Sequence, residues 1–223
     1  VTTPFGNTDP HFYEQINHWG TAELVYAMEE TNGAHLIHLS STSVYGSTDK
    51  LVDEHSPLQP RTFYGISKKR GEDHVMRLVK AGRATIIRCG NVYGYSSSMR
   101  FDAVINKFAF ESNFHNRIII QGNGHQSRAF IHVDHLSGAL SQMNNKDVIS
   151  GVFNLVANNY EILDLVDVFK EVVPELEFIF VDQHLELRNL RVNTDLPISE
   201  HIDTSYPRSL KEDITAFLQK FAY

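Results

Sequence analysis

The sequence predicts an α/β fold with a largely parallel sheet. Three observations predict it. Apolar segments of strand length alternate along the chain with stretches of helical period. Turn residues separate many of them. No internal repeat or low-complexity linker interrupts the series, and 223 residues suffice for one large domain or for a main domain with a smaller lobe.

The elements follow in order. Ile16, Gly20, Leu24, Ala27 and Met28 recur at helical spacing, so 13–30 reads as a helix that stops at Asn32-Gly33. Residues 35–41 form a short apolar run suited to a buried strand. Helical period returns over 64–80 through Gly71, Val75, Leu78 and Val79. Residues 84–89 read as a strand and 91–99 as a Gly/Ser-rich loop. A helix over 101–110, a strand over 118–121 and a turn at Gly122-Asn123-Gly124 come next. A strand over 130–133 leads into a helix from Asp134 to Met143. Residues 151–157 read as a strand, 162–172 as a helix and 178–181 as a strand. Residues 184–205 lack clear period and read as irregular. An amphipathic helix over 209–221 closes the chain, with Leu210, Ile214, Phe217, Leu218 and Phe221 on one face.

Composition bounds the function. Hydrophobic residues at 42% and charged residues at 21% describe an ordinary globular protein. The net charge of -7 lacks the basic footprint of nucleic-acid binding. No apolar run approaches the roughly 20 residues of a membrane helix, and no signal peptide is evident. The single cysteine, Cys89, excludes an intramolecular disulfide and fits a reducing, cytoplasmic compartment. His35 and His38 are three apart in a strand and face opposite sides, and no Cys/His ligand spacing occurs, so no metal site is expected. Cys89 is expected to be a buried strand residue and Trp19 a packing residue.

Two motifs carry chemistry. Ser40-Ser41-Thr42-Ser43-Val44-Tyr45-Gly46 lies at the carboxyl end of a predicted strand, where ligands of open α/β sheets bind. Its hydroxyls can bond a substrate oxygen. In Tyr64-Gly65-Ile66-Ser67-Lys68, helical spacing puts Tyr64 and Lys68 on one face. A free tyrosine titrates near pH ~10, and a nearby ammonium lowers that value. Such a tyrosine can take a proton from a sugar hydroxyl or return one to a ketone. Alone, the spacing is common in helices, and its plain reading is a half-buried tyrosine beside a solvated lysine.

The company of the two motifs narrows this. Ser-Ser-x-x-Val-Tyr-Gly followed by Pro60-Arg61-Thr62-Phe63-Tyr64-Gly65-Ile66-Ser67-Lys68, with Glu72 after it, resembles the extended short-chain dehydrogenases/reductases that act on nucleotide sugars. Arg88-Cys89-Gly90-Asn91-Val92-Tyr93-Gly94 is similar to the family's Arg-x-x-Asn-x-Tyr-Gly. Gly122 to Asp134 is similar to Gly-x-Gly-x-Gln-x-Arg-Asp-Phe-Ile-His-Val-Asp, and Asn17-His18-Trp19-Gly20-Thr21 to Asn-Val-x-Gly-Thr. The blocks come in family order from about residue 13 to 157.

The resemblance implies a Rossmann-like doubly wound parallel sheet with a smaller C-terminal substrate-binding lobe. The dinucleotide-binding part would be 1–95 with 130–157, and the lobe mainly 96–129 and 158–223. It implies NAD or NADP as cofactor, a nucleotide-sugar substrate and a homodimer paired through the helices at 13–30 and 64–80. Tyr64 would be the acid/base and Lys68 its electrostatic and ribose-binding partner. Ser41 would bond the reacting oxygen, with Thr42 as second choice. Asn17, Leu39, Ser40 and Cys89 would lie near the cofactor. Asn91 and Arg128 would contact the substrate diphosphate, since a guanidinium meets phosphate oxygens with paired donors. Arg188 lies in about the region of a further substrate contact, but its spacing to Arg191 does not match the family's Arg-x-x-Asp.

The departures matter as much. The Gly-x-x-Gly-x-x-Gly turn that binds the cofactor pyrophosphate has no counterpart here, and by family order two or three βαβ units, roughly 60–90 residues, should precede Val1. The dehydratase branch carries Asp-Glu before Val-Tyr-Gly; here those positions are Thr42 and Ser43, which disfavours water elimination and leaves epimerisation at C4. Ala129 and His135 replace aspartates expected to brace Arg128. The leading expectation is therefore an NAD(P)-dependent nucleotide-sugar epimerase. A reductase or decarboxylase on the same scaffold is the alternative, and a non-catalytic binding protein would follow if the glycine-rich part were truly absent.

Overall fold

Three helical segments open the computed structural model, which describes residues 9–31, 33–143, 149–184 and 187–221. Helix α1 (Pro10–Tyr13) runs into a π-helical segment, Glu14–Trp19, and then into α2 (Gly20–Glu29). Asp9 caps the start by accepting from the His11 N–H at 2.9 Å. Strand β1 (Leu36–Ser41) ends in a 3₁₀ turn, Thr42–Tyr45. Then come β2 (Leu51–Val52), α3 (Phe63–Lys80), β3 (Ala84–Cys89), β4 (Asn91–Tyr93), α4 (Val104–His115), β5 (Arg117–Gln121), β6 (Ser127–His132), α5 (Val133–Met143), β7 (Gly151–Leu155), β8 (Asn158–Glu161), α6 (Ile162–Val172), β9 (Glu177–Val181), β10 (Arg191–Val192), a 3₁₀ turn Pro197–Glu200, and α7 (Leu210–Gln219).

Strands β1, β3 and β7 form a parallel sheet in that order, with Ser41 opposite Cys89 and Cys89 opposite Leu155. All six residues of β3 are buried, as a central parallel strand covered on both faces requires. Helix α3 packs on this sheet through Val75 and Leu78, which join Val25, Met28, Ala84 and Ile86 in one apolar cluster. The π-helical segment crosses α3 at Gly71, where a Cβ would stand 2.5 Å from the Asn17 carbonyl oxygen. Glycine is what allows the two helices to come that close.

A second sheet has the order β4-β6-β8, parallel between β4 and β6 and antiparallel between β6 and β8. Strands β5 and β9 pair in parallel, as do β2 and β10. Helices α4, α6 and α7 close over a core of Ile105, Phe108, Ile118, Phe130, Phe169 and Ile214. Helix α7 begins in a capping box in which Ser209 and Glu212 each satisfy the other's backbone N–H. It is pinned to β4 by the Tyr93 hydroxyl, which donates to Asp213 Oδ2 at 2.8 Å.

The structure corrects four sequence expectations. The stretch 91–99 is not all loop, because Asn91–Tyr93 pairs with Phe130–His132. Irregular structure over 184–205 gives way to β10 and a 3₁₀ turn, since Arg191 and Val192 find partners at Leu51 and Val52. The helix expected at 101–110 lies at Val104–His115, its inward face set by Ile105, Phe108, Ala109 and Ser112 rather than by Phe101, which is 52% exposed. Trp19 does not pack inside: it is 55% exposed. Gly33 ends the α2 region at positive φ, while Asn32 of the expected stop signal lies outside the described residues.

Candidate active site

The carboxyl end of β1 is the centre of the site. The chain leaves the strand at Ser41, whose hydroxyl oxygen accepts from the Ser43 N–H at 3.2 Å and so caps the 3₁₀ turn. The same hydroxyl donates to Ser43 Oγ at 3.0 Å. Thr42 is buried inside the turn. Helix α3 starts against it: Thr62 caps the helix by accepting from the Gly65 N–H at 3.1 Å. A Cβ on Gly65 would come within 2.8 Å of the Ser43 carbonyl oxygen, so glycine at 65 lets Tyr64 reach the end of β1.

Tyr64 is buried, edge-on to Tyr13 with ring centres 6.2 Å apart. Its pKa is raised. Burial disfavours the phenolate and outweighs the groups that favour it, a hydrogen bond with Ser41 and the charges of Arg100 and Arg188; Cys89 adds to the rise. This corrects the sequence expectation that Lys68 lowers it. The Lys68 ammonium turns instead to the backbone and donates to the Leu39 carbonyl at 2.8 Å.

Lys68 is only 2% exposed, and burial pushes its pKa down to about 8, with Cys89 and Glu72 pulling the other way. An ammonium has three donors, and Leu39 takes one. On β1, which Lys68 meets at Leu39, and on the π-helical segment packed against α3 are polar atoms that are buried and have no hydrogen-bond partner among the described residues: His38 Nε2 and Ser40 Oγ on the strand and Asn17 Oδ1 on the segment. Asn17 is held by its other atom, donating through Nδ2 to Ser67 Oγ at 3.1 Å, and Ser67 in turn donates to the Tyr64 carbonyl at 2.9 Å. His38 has its pKa pushed down to about 4 by burial and by Lys68. Cys89 lies beside Ser41 on β3, its thiol pushed up to about 12 by burial, so it is no nucleophile. The spare donors of Lys68 and these orphan atoms fit a hydroxyl-rich group such as a cofactor ribose.

A further cation, Arg188, lies within electrostatic reach of Tyr64 and is bonded through its carbonyl to a second. Arg128, on β6, donates from Nη1 to the Arg188 carbonyl at 2.8 Å. Neither guanidinium meets a carboxylate among the described residues. Burial, and then Arg188, push Arg128 down to about 10; burial also lowers Arg188, against a pull from Tyr64. Arg188 thus lies electrostatically between Arg128 and Tyr64. Asn91 donates from Nδ2 to the Ala129 carbonyl at 2.9 Å across the β4–β6 seam.

The structure therefore brings Tyr64, Lys68, Ser41, Thr42, Leu39, Ser40, Cys89 and Asn17 to one strand end, with Arg188 within electrostatic reach of Tyr64 and Arg128 bonded to the Arg188 carbonyl; Asn91 donates to the neighbouring strand. Sequence reasoning missed Arg100, a loop residue whose charge reaches Tyr64, and Asn189. Asn189 accepts from the Ser127 N–H at 2.9 Å and donates to Asp49 at 2.8 Å, which holds the Arg188 backbone against β6. Neither residue carries a local sequence signal.

A parallel sheet with hydroxyls, a tyrosine and a buried lysine at its carboxyl ends defines a dehydrogenase-like α/β protein. The chain belongs to the NAD dependent epimerase/dehydratase family, whose model matches residues 2–155. It is 30% identical over 164 residues to human dTDP-D-glucose 4,6-dehydratase, covering 72% of this chain but only 46% of that protein. It is 28% identical to a putative UDP-glucose 4-epimerase of Methanocaldococcus jannaschii, covering 92% of this chain and 69% of the relative. The chain thus spans about half the length of the human relative. Its fold matches a UDP-glucuronic acid 4-epimerase from Bacillus cereus solved with UDP-glucuronic acid and NAD, with a TM-score of 0.80 at 23% identity, over 93% of this chain and 68% of the other. It also matches a UDP-N-acetylglucosamine 4-epimerase from Methanobrevibacter ruminantium, TM-score 0.81 at 21% identity, over 99% and 74%.

Proposed function

We propose that the protein is an NAD(P)-dependent nucleotide-sugar epimerase. The observation that carries this reading is the buried Tyr64 beside the Ser41 hydroxyl and the buried Lys68 at the strand end, with hydroxyls rather than carboxylates at 42 and 43. The cofactor, when bound, would supply the hydride acceptor and donor. Lys68 would hold its ribose with the donors that Leu39 leaves free, while Asn17, Leu39, Ser40 and Cys89 shape the surrounding wall. Ser41 would bond the reacting sugar oxygen. Tyr64 would take that oxygen's proton as the carbon is oxidised and return it as the ketone is reduced on its other face. Arg100, Arg188 and Ser41 all favour the phenolate and so ease the proton's departure against the pull of burial.

Arg128 and Arg188 would hold the substrate diphosphate, each a cation without a carboxylate partner among the described residues. The dinucleotide side would then be 1–95 with 130–157, and the sugar side mainly 96–129 and 158–223. Elimination of water, the reaction in the human relative's name, would need a proton donor and acceptor on the sugar that Thr42 and Ser43 do not supply at neutral pH.

The test is turnover of UDP-, dTDP- and GDP-sugars by the intact protein with NAD. Interconversion of a C4 epimer pair is expected, and Tyr64→Phe should slow it by about 10²–10⁴-fold with the fold unchanged. No turnover by the intact protein, or a Tyr64→Phe variant as fast as the parent, would overturn the reading.

A further inference from the structure

Away from that site, the crossing of the π-helical segment with α3 carries a second constellation. His18 Nδ1 bonds Glu14 Oε2 at 2.7 Å, and His18 Nε2 stands 3.2 Å from His74 Nε2. A carboxylate accepts, so a neutral His18 ring bonded to Glu14 carries its proton on Nδ1 and presents a lone pair at Nε2. That lone pair is directed at His74.

We propose that His18 and His74 form a two-histidine site for a divalent transition ion of the zinc class, bound through both Nε2 atoms, with Glu14 as the carboxylate behind His18. Two imidazoles bound to a tetrahedral zinc at about 2.05 Å place their nitrogens about 3.3 Å apart and their ring centres about 5.2 Å apart. The nitrogens here are 3.2 Å apart and the ring centres 5.2 Å. A carboxylate on the far nitrogen is the usual partner of a metal-bound histidine, since it fixes the tautomer and raises ligand basicity. In the single chain the side chain of His18 is 14% exposed, and water would complete the coordination. No local spacing announces the pair, which is 56 residues apart on separate helices. No group of three or more His, Cys, Asp or Glu that could hold a metal occurs among the described residues, so the protein supplies two ligands here.

The protein carries its own reporter. Trp19, the only tryptophan, stacks on His18 with ring centres 4.5 Å apart. The experiment titrates the chelator-treated protein with Cu²⁺ while following tryptophan fluorescence, and with Zn²⁺ against a chromophoric chelator. One ion per chain is expected at micromolar metal, with Trp19 quenched by Cu²⁺. His18→Ala and His74→Ala should each abolish both signals, and Glu14→Gln should weaken Zn²⁺ binding about 10–100-fold. His74→Gln separates ligation from packing: its amide can still donate to His18 but is a poor ligand, so melting should be unchanged while metal binding is lost. No saturable binding by the parent, or quenching that persists in His74→Ala and His74→Gln, would overturn the proposal.

Discussion

Arg88 and Arg128 lie on strands of the same molecule and meet opposite treatment. Arg88 is 5% exposed and fully partnered. Its Nη2 and Nε reach Glu72 at 2.8 and 3.1 Å, and its Nη1 reaches the Tyr45 hydroxyl at 3.0 Å. Tyr45 passes the chain on to Asn154 at 2.8 Å, whose backbone N–H donates to Glu54 at 2.8 Å. These partners outweigh burial and raise the pKa of Arg88. Arg128 has a carbonyl and a neighbouring arginine, and its pKa falls to about 10. A buried cation with its own carboxylate holds the scaffold together. A cation without one is what the proposed diphosphate site requires.

Breaking the paired side has the largest expected effect. Glu72→Gln leaves the Arg88 charge buried without its counter-ion, and uncompensated buried charges cost about 3–5 kcal/mol. Urea unfolding should show that loss. A loss below about 1 kcal/mol would mean that water reaches Arg88 and that the pair is not scaffolding.

How much of this was legible in the sequence depends on whether a residue's partner lay nearby. The Tyr64–Lys68 face, the strand at 84–89 and the hydroxyl row at 40–43 follow from local period and motif, and they stand as read. The short strands did not announce themselves. Asn91–Tyr93 and Arg191–Val192 are strands only because Phe130–His132 and Leu51–Val52 come alongside. The close crossing of the π-helical segment with α3 depends on Gly71, which lies more than 50 residues away in the chain. Charge states failed for the same reason. Helical spacing put Lys68 near Tyr64, but the depth of burial that dominates both groups is set by the whole fold.

Lys68 extends the comparison, because it too is a buried cation without a carboxylate in contact. The folded amine releases its proton near pH 8 and the unfolded one near pH ~10.4. Between those values the unfolded chain holds more protons, so stability contributed by this group rises with pH, and the penalty of burying the charge is complete below pH 8. Lys68→Met removes the penalty. Its stability relative to the parent should be higher at pH 7.5 than at pH 10, by up to about 3 kcal/mol. Activity should be lost at both. An equal difference at the two pH values would show that the ammonium is solvated and groups with neither class.

The smallest effect tests the proposed anion site itself. Arg128→Met keeps the length of the side chain and removes the charge, so a desolvated cation is exchanged for an apolar group in the same space. Melting should be unchanged or slightly higher, the reverse of Glu72→Gln. Binding of UDP, dTDP or GDP, whichever the parent prefers, should weaken about 10–100-fold, since a hydrogen bond to a charged group contributes about 1.5–3 kcal/mol. Calorimetry on the two variants gives the contrast directly: Glu72→Gln lowers stability, and Arg128→Met lowers affinity. If Arg128→Met also lowers the melting temperature and leaves nucleotide binding intact, its bond to the Arg188 carbonyl is structural. The diphosphate would then have to rest on Arg188 or Arg100, the two cations within electrostatic reach of Tyr64.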